Sequence, residues 1–243
     1  MSVADAVARA RAHEWRDLDG EPMDVVFLPA LTSAEVNAIE AELGGKLPAD
    51  FREMALLIGG IECFYDIAFR GDADGQYLEG FLDRALYLAP DGCGNFFTMD
   101  VTSSGSEKAD IFFACHDAPV MTYVCHGMEA FLDLICRNHG SPRDDTLDRL
   151  IEDRIFKVWK THDRSVPVSQ ARDSADQVVR DFAASLPDGY FIVDLRERVP
   201  GSGVPWGRFG PDTDLRRCGE ELIFAYGPAA RSEVKKPWWK FWG

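Results

Sequence analysis

Apolar positions in the first 140 residues recur first at helical spacing and then at strand spacing, and the change falls at Gly59-Gly60. Thr32 and Glu35 have capping-box spacing: the hydroxyl can accept from the third backbone N–H while the carboxylate reaches back. Val36, Ile39 and Leu43 then share one helical stripe, and Gly44-Gly45 stops the helix. Pro48 restarts a helix, where its missing N–H does no harm, with Phe51, Met54, Ala55 and Ile58 on its buried face. After Gly60, short runs rich in Phe, Tyr, Ile and Val lie near 61–69, 85–89, 95–101, 111–115 and 120–125. Turn residues separate them, at 71–75, 90–92, 103–106 and 117–119. They predict an antiparallel sheet of four or five strands. A helix follows from about Met128 to Asn138 with Phe131, Leu132 and Ile135 as its apolar face, and Gly140-Ser141-Pro142 closes the unit.

The remainder is less regular. Leu147, Leu150, Ile151, Ile155, Val158 and Trp159 predict an amphipathic helix, and His162 to Gln170 reads as a linker. Ser174 and Gln177 have capping-box form, with Val178, Phe182 and Leu186 continuing that helix. Strands are expected near Tyr190–Leu195 and Leu222–Tyr226, with a Gly- and Pro-dense loop from Pro200 to Pro211 between them. This part is either a small αβ appendage or an extension packed on the first sheet. The expected division is a lead-in helix (1–24), a principal domain (25–140), an extension (141–230) and a Lys/Trp-rich tail (231–243).

Four stretches carry a family resemblance: LTSAEVNAIEAELGGKLPADFREMALLIGG, LYLAPDGCGNFF, IFFACHDAP and MEAFLDLI. Together they resemble the SUKH superfamily, also called Smi/Knr-like domains, over about residues 25–140. The family pattern has a helix, a Leu-Pro, a second helix ending in an Asn-Gly-Gly-like turn, and then an Asp-Gly-x-Gly-Asn turn. Leu31, Glu35, Ile39, Leu43, Leu47, Pro48, Phe51 and Gly60 carry the first half, although Ile58 stands where the asparagine would be. Asp91, Gly92, Gly94 and Asn95 carry the second. The resemblance implies an α+β domain with helices on one face of a mostly antiparallel sheet, here with a smaller α/β extension after it. It also implies no catalysis and no cofactor. Bacterial members of the superfamily bind and neutralise toxin domains, and fungal relatives act as scaffolds.

Charge sharpens this picture. Residues 1–140 hold 24 acidic and 9 basic side chains and residues 141–243 hold 17 of each, so the net charge of −15 belongs to the first part. Such a field repels nucleic acid and attracts basic proteins. Taken with what the resemblance implies, a basic toxin domain is the expected partner. Asp72, Asp74, Glu79, Asp110 and Asp117, placed in loops between strands, are the candidate contacts. Six cysteines without a CxxC, and an N-terminus without signal-peptide form, predict reduced thiols in a cytoplasmic protein.

Other constellations are weighed against plainer readings. Cys115-His116 and Cys125-His126 suggest zinc, but adjacent strand residues point to opposite faces, which predicts buried cysteines beside exposed histidines. Cys93 with His116 is the best thiol-enzyme pair, against a turn in which Asp91 and Asn95 bond their own backbone. The loop from Gly71 to Gly80 lacks the donors and glycine offset of a calcium site and reads as a solvated acidic loop. GSGVPWG lacks a nucleotide fingerprint and reads as a surface loop anchored by Trp206 and Phe209. The tail concentrates Lys235, Lys236, Lys240, Trp238, Trp239, Phe241 and Trp242. Docking on its own acidic domain, insertion into a partner's groove, and weak membrane contact all remain open for it.

Overall fold

The computed structural model describes residues 2–63, 67–68, 81–82 and 84–229. Helix α1 (Val3–Ala12) starts at a capping box formed by Ser2 and Asp5 and buries Val3, Ala6, Val7 and Ala10. Strand β1 (Val26–Leu28) precedes α2 (Ser33–Leu43) and α3 (Ala49–Leu57). The Thr32 N–H donates to Glu35 Oε2 at 2.7 Å and the Glu35 N–H donates to Thr32 Oγ1 at 3.3 Å, which is the reciprocal cap the sequence predicts. Gly44, at φ 66°, supplies the left-handed residue that ends α2. Pro48 is the cap residue of α3 rather than its first turn.

Strands β2 (Gly60–Glu62) and β3 (Ile67–Ala68) follow. They pair with β1 in a separate three-stranded sheet of order β1-β2-β3, so the 61–69 run does not join the principal sheet as expected. The glycine just before β2 has a steric cause: a Cβ on Gly59 would lie 2.2 Å from the carbonyl oxygen of Pro29.

The principal sheet contains β4 (Ala85–Pro90), β5 (Phe96–Asp100), β6 (Asp110–Cys115) and β7 (Val120–His126). On one face lie α1, α2, α3, α4 (Met128–Asn138) and α5 (Thr146–Thr161). Phe113 points into this side, within a ring cluster that includes Phe97 at 5.0 Å and, from Phe97, Phe131 at 5.2 Å. The α+β arrangement, with helices on one face of an antiparallel sheet, is the expected class.

Every residue of β6 is buried, as is all of β7 except His126. Alternation cannot produce that unless both faces are covered. The second cover comes from the extension. After β8 (Ser165–Pro167), α6 (Val168–Ala171) and α7 (Gln177–Ala184) come β9 (Phe191–Asp194), β10 (Gly203–Val204), β11 (Thr213–Arg217) and β12 (Ile223–Pro228). Four of these strands form an antiparallel sheet of order β11-β12-β9-β8. Its Val193, Leu195, Phe224 and Tyr226 pack with Phe112, Ala114, Met121 and Tyr123 of the principal sheet. Its other face packs on α6 and α7 through Ile192, Ile223 and Ala225. The layers are thus helices, five strands, four strands, helices.

Two ion pairs join the sheets. Arg217 meets Asp100 at 2.8 Å, with both side chains under a tenth exposed, and also donates to Thr102 Oγ1 at 3.0 Å. Arg198 pairs with Asp110, its Nε donating to Oδ1 at 3.1 Å, while its guanidinium lies 5.1 Å from the Tyr123 ring centroid.

Three expectations in the extension need correction. The stretch 200–211 is not all surface loop: Gly203–Val204 is buried and extends the principal sheet along β7, giving the order β10-β7-β6-β5-β4. A Cβ on Gly203 would lie 2.3 Å from the Met121 carbonyl oxygen, so the glycine allows that approach. The linker 162–170 contains β8 and α6. The cap of α7 is Asp176, which accepts from the N–H groups of Val178 and Val179 at 2.8 and 3.1 Å; Ser174 instead accepts from the Asp176 N–H at 3.2 Å.

Candidate interaction surface

The Asp-Gly-x-Gly-Asn turn is a clamp between strand connections. Asp91 Oδ1 accepts from the N–H groups of Cys93 and Asn95 at 2.8 and 2.9 Å. Gly92 and Gly94 adopt φ of 75° and 89°, which favour glycine. Asn95 Oδ1 accepts from the His116 N–H at 2.9 Å and lies 2.8 Å from His116 Nδ1. An amide oxygen can only accept, so Nδ1 carries the proton and the ring holds the β6–β7 turn to the β4–β5 turn.

The two Cys-His dipeptides split between faces. Cys115 and Cys125 are buried, and His116 and His126 are exposed. Burial raises both thiols' pKa values, and pushes Cys136 up to about 12, so these groups are protonated and unreactive at neutral pH. Among the described residues no group of His, Cys, Asp or Glu is arranged to hold a metal ion.

Of the candidate contacts, Asp72, Asp74 and Glu79 lie outside the described residues, as do Trp238, Trp239, Phe241 and Trp242 of the tail. Asp110 is not in a loop. It opens β6, is 8% exposed, and serves Arg198 and, at 2.9 Å, His126 Nδ1. It joins the two sheets and is not offered to a partner. Asp117 is exposed in the β6–β7 turn, 3.3 Å from His116 Nε2.

Cations are paired with carboxylates in both parts of the chain. In the extension, eight arginines sit within 4.0 Å of a carboxylate: Arg143, Arg149, Arg154, Arg172, Arg196, Arg198, Arg216 and Arg217. In the first part Arg9, Arg16, Lys46, Arg52, Lys108 and Arg137 are paired likewise, but the exposed carboxylates of Asp19, Asp24, Glu42, Glu53, Glu62 and Glu107 make no hydrogen bond or ion pair among the described residues. The negative field of the first part is left uncompensated at its surface.

That surface also has a groove of about 460 Å³ between α2 and the segment leading from β1. Leu28, Pro29, Leu31, Ala38 and Ile39 form its apolar lining, and Glu35 and Glu42 are the charged side chains along it. Helical periodicity does not reveal the groove. It exists because Gly59 brings the end of α3 against Pro29, setting β1 beside α2.

A polar cluster closes the junction between α5 and the second sheet. Arg208 Nε donates to His162 Nε2 at 3.1 Å, which leaves the ring proton on Nδ1, 2.6 Å from the Tyr226 hydroxyl. Tyr226 in turn donates to Ser165 Oγ at 2.9 Å. His162 is held at φ 53° and Arg164 at φ 62°, left-handed values uncommon outside glycine. Burial, and then the Arg208 charge, lower the pKa of His162. Burial does the same to His139. A histidine depressed in the fold takes up its proton more readily when unfolded. Stability is therefore expected to be full above about pH 6.5 and to fall as pH drops through the unfolded histidine value toward the folded one. Urea midpoints from pH 7.5 to 5 test this. His162→Asn is expected to flatten part of the slope, and an unchanged slope would show that His162 does not titrate against the fold.

No helix among the described residues is long and apolar enough to cross a membrane. Residues 30–134 match the SMI1 / KNR4 family (SUKH-1). No curated protein and no solved structure matches the chain.

Proposed function

The chain carries a SUKH-1 domain over residues 30–134, and from that premise we propose that it is an immunity protein, a non-catalytic binder that occludes a basic toxin domain. The observation that carries the reading is the difference in charge balance between the two parts. Residues 141–243 hold equal numbers of acidic and basic side chains, while the first part carries the whole net charge of −15 and presents the exposed carboxylates of Asp19, Asp24, Glu42, Glu53, Glu62 and Glu107, which meet no cation among the described residues. The extension's sheet covers the outer face of the principal sheet. A partner of the SUKH domain therefore has the helical side and the turns to use, which is where the free acids lie. Such a surface steers a basic partner and gives association that weakens with salt.

The test is affinity capture by the full chain from its native lysate, followed by identification and titration of what is retained. The expected result is one basic protein held stoichiometrically and released by salt. Replacing Glu42, Glu53, Glu62 and Glu107 together by lysine is expected to weaken it at least about tenfold. Retention indifferent to salt and to the four substitutions overturns the acidic-surface reading. A second reading, a scaffold that recruits a partner through the Lys/Trp tail, predicts retention that is lost when the chain ends at Val234.

A further inference from the structure

The groove beside α2 and the Lys/Trp tail are complementary in three respects. The groove has a lining of Leu28, Leu31, Ala38 and Ile39, an apolar surface suited to an indole or phenyl ring. Its charged groups are carboxylates only, Glu35 and Glu42, and α2 itself contains three glutamates and no basic residue. Residues 235–243 contain three lysines, three tryptophans and a phenylalanine, and no acid. The groove, of about 460 Å³, is open to solvent along its length, so a ring would lie along it with one edge exposed. The chain leaves β12 at Pro228, and residues 230–243 extended span about 46 Å, close to the width of a protein of this length.

We propose that this groove is the docking site of the chain's own segment Lys235–Gly243, with an aromatic side chain in the apolar lining and the lysines against Glu42 and Glu35. The inference goes beyond the immunity reading, because it concerns a segment that reading does not use. Glu42 is the informative carboxylate. Glu35 already spends Oε2 on the N–H and hydroxyl of Thr32, both at 2.7 Å, so its replacement would damage α2. Glu42 is exposed and its carboxylate makes no bond among the described residues, so its reversal leaves the helix intact.

The experiment uses the full chain with p-benzoylphenylalanine in place of Trp239, irradiated and mapped by mass spectrometry. The expected product joins position 239 to the segment 28–42. Its yield is expected to fall at least about fivefold in Glu42→Lys and to fall in 0.5 M salt, since exposed charge contacts are screened there. A Glu42→Gln variant is expected to lie between the two. A yield that is unchanged on dilution is expected for a tail bound to its own chain; one that falls with dilution, as for a tail bound to a neighbouring copy, overturns the proposal. Cross-links to any other surface, or labelling only of added phosphatidylglycerol vesicles, overturn the proposal. So does a yield unchanged by Glu42→Lys.

Discussion

Arg217→Met is expected to cost about 3–5 kcal/mol of folding stability, because it leaves Asp100 buried without a counter-charge. The two groups meet at 2.8 Å with 4% and 7% of their side chains exposed. Arg217 also donates to Thr102 Oγ1 and to the carbonyl oxygens of Glu220 and Glu221, and its guanidinium lies over Phe224. Asp100 keeps only the Thr102 N–H, at 3.0 Å, once the arginine is gone. The measurement is a urea transition on the purified full chain. The companion variant Arg217→Met/Asp100→Leu is expected to recover most of the loss, since the penalty is the isolated charge and not the missing attraction. A single-variant loss below about 1 kcal/mol would mean that water reaches the pair, as it does for exposed bridges.

The second large effect separates two neighbours. Phe112 and Phe113 are adjacent in β6 and both fully buried, but they serve different layers. Each alanine replacement is expected to cost about 3–5 kcal/mol. Hydrogen exchange is expected to divide them. Phe112→Ala should speed exchange in β9 and β12 of the second sheet, and Phe113→Ala in α4. Equal effects on both layers would show that the two sheets open as one unit and would weaken the layered description.

Local chemistry made much of this legible in advance. The Thr32–Glu35 cap, the Gly44 stop and the helix Met128–Asn138 follow from residues within a turn of each other, and the structure places them as read. What the sequence hid depends on distant partners. Strand β11 reads TDLRR, a polar string, because it is an edge strand whose Arg217 reaches across to Asp100 of β5. Strand β10 reads as Gly/Pro loop because its glycine is needed for close approach to Met121. The 61–69 run has strand composition, but composition does not tell a strand which sheet to join. Asp110 illustrates the same limit for the site. A carboxylate beside a turn looks available until Arg198, 88 residues later, is found against it. The groove is likewise a product of packing between β1 and α2, invisible to any single helical stripe.

The late strand β10 has a consequence for synthesis. It lies about 80 residues beyond β7, to which it is hydrogen bonded. At roughly 5–20 residues per second, the ribosome needs roughly 4–16 s to supply it after β7 emerges. During that interval the nascent SUKH domain holds a bare strand edge and an unshielded face carrying Phe112, Met121 and Tyr123. Such surface is the kind that chaperones bind and that neighbouring nascent chains pair with. The edge is paired once residue 204 leaves the tunnel, but the face is covered only when β12, ending at Pro228, has emerged as well, and the chain's vulnerability in the cell is concentrated in the seconds before that.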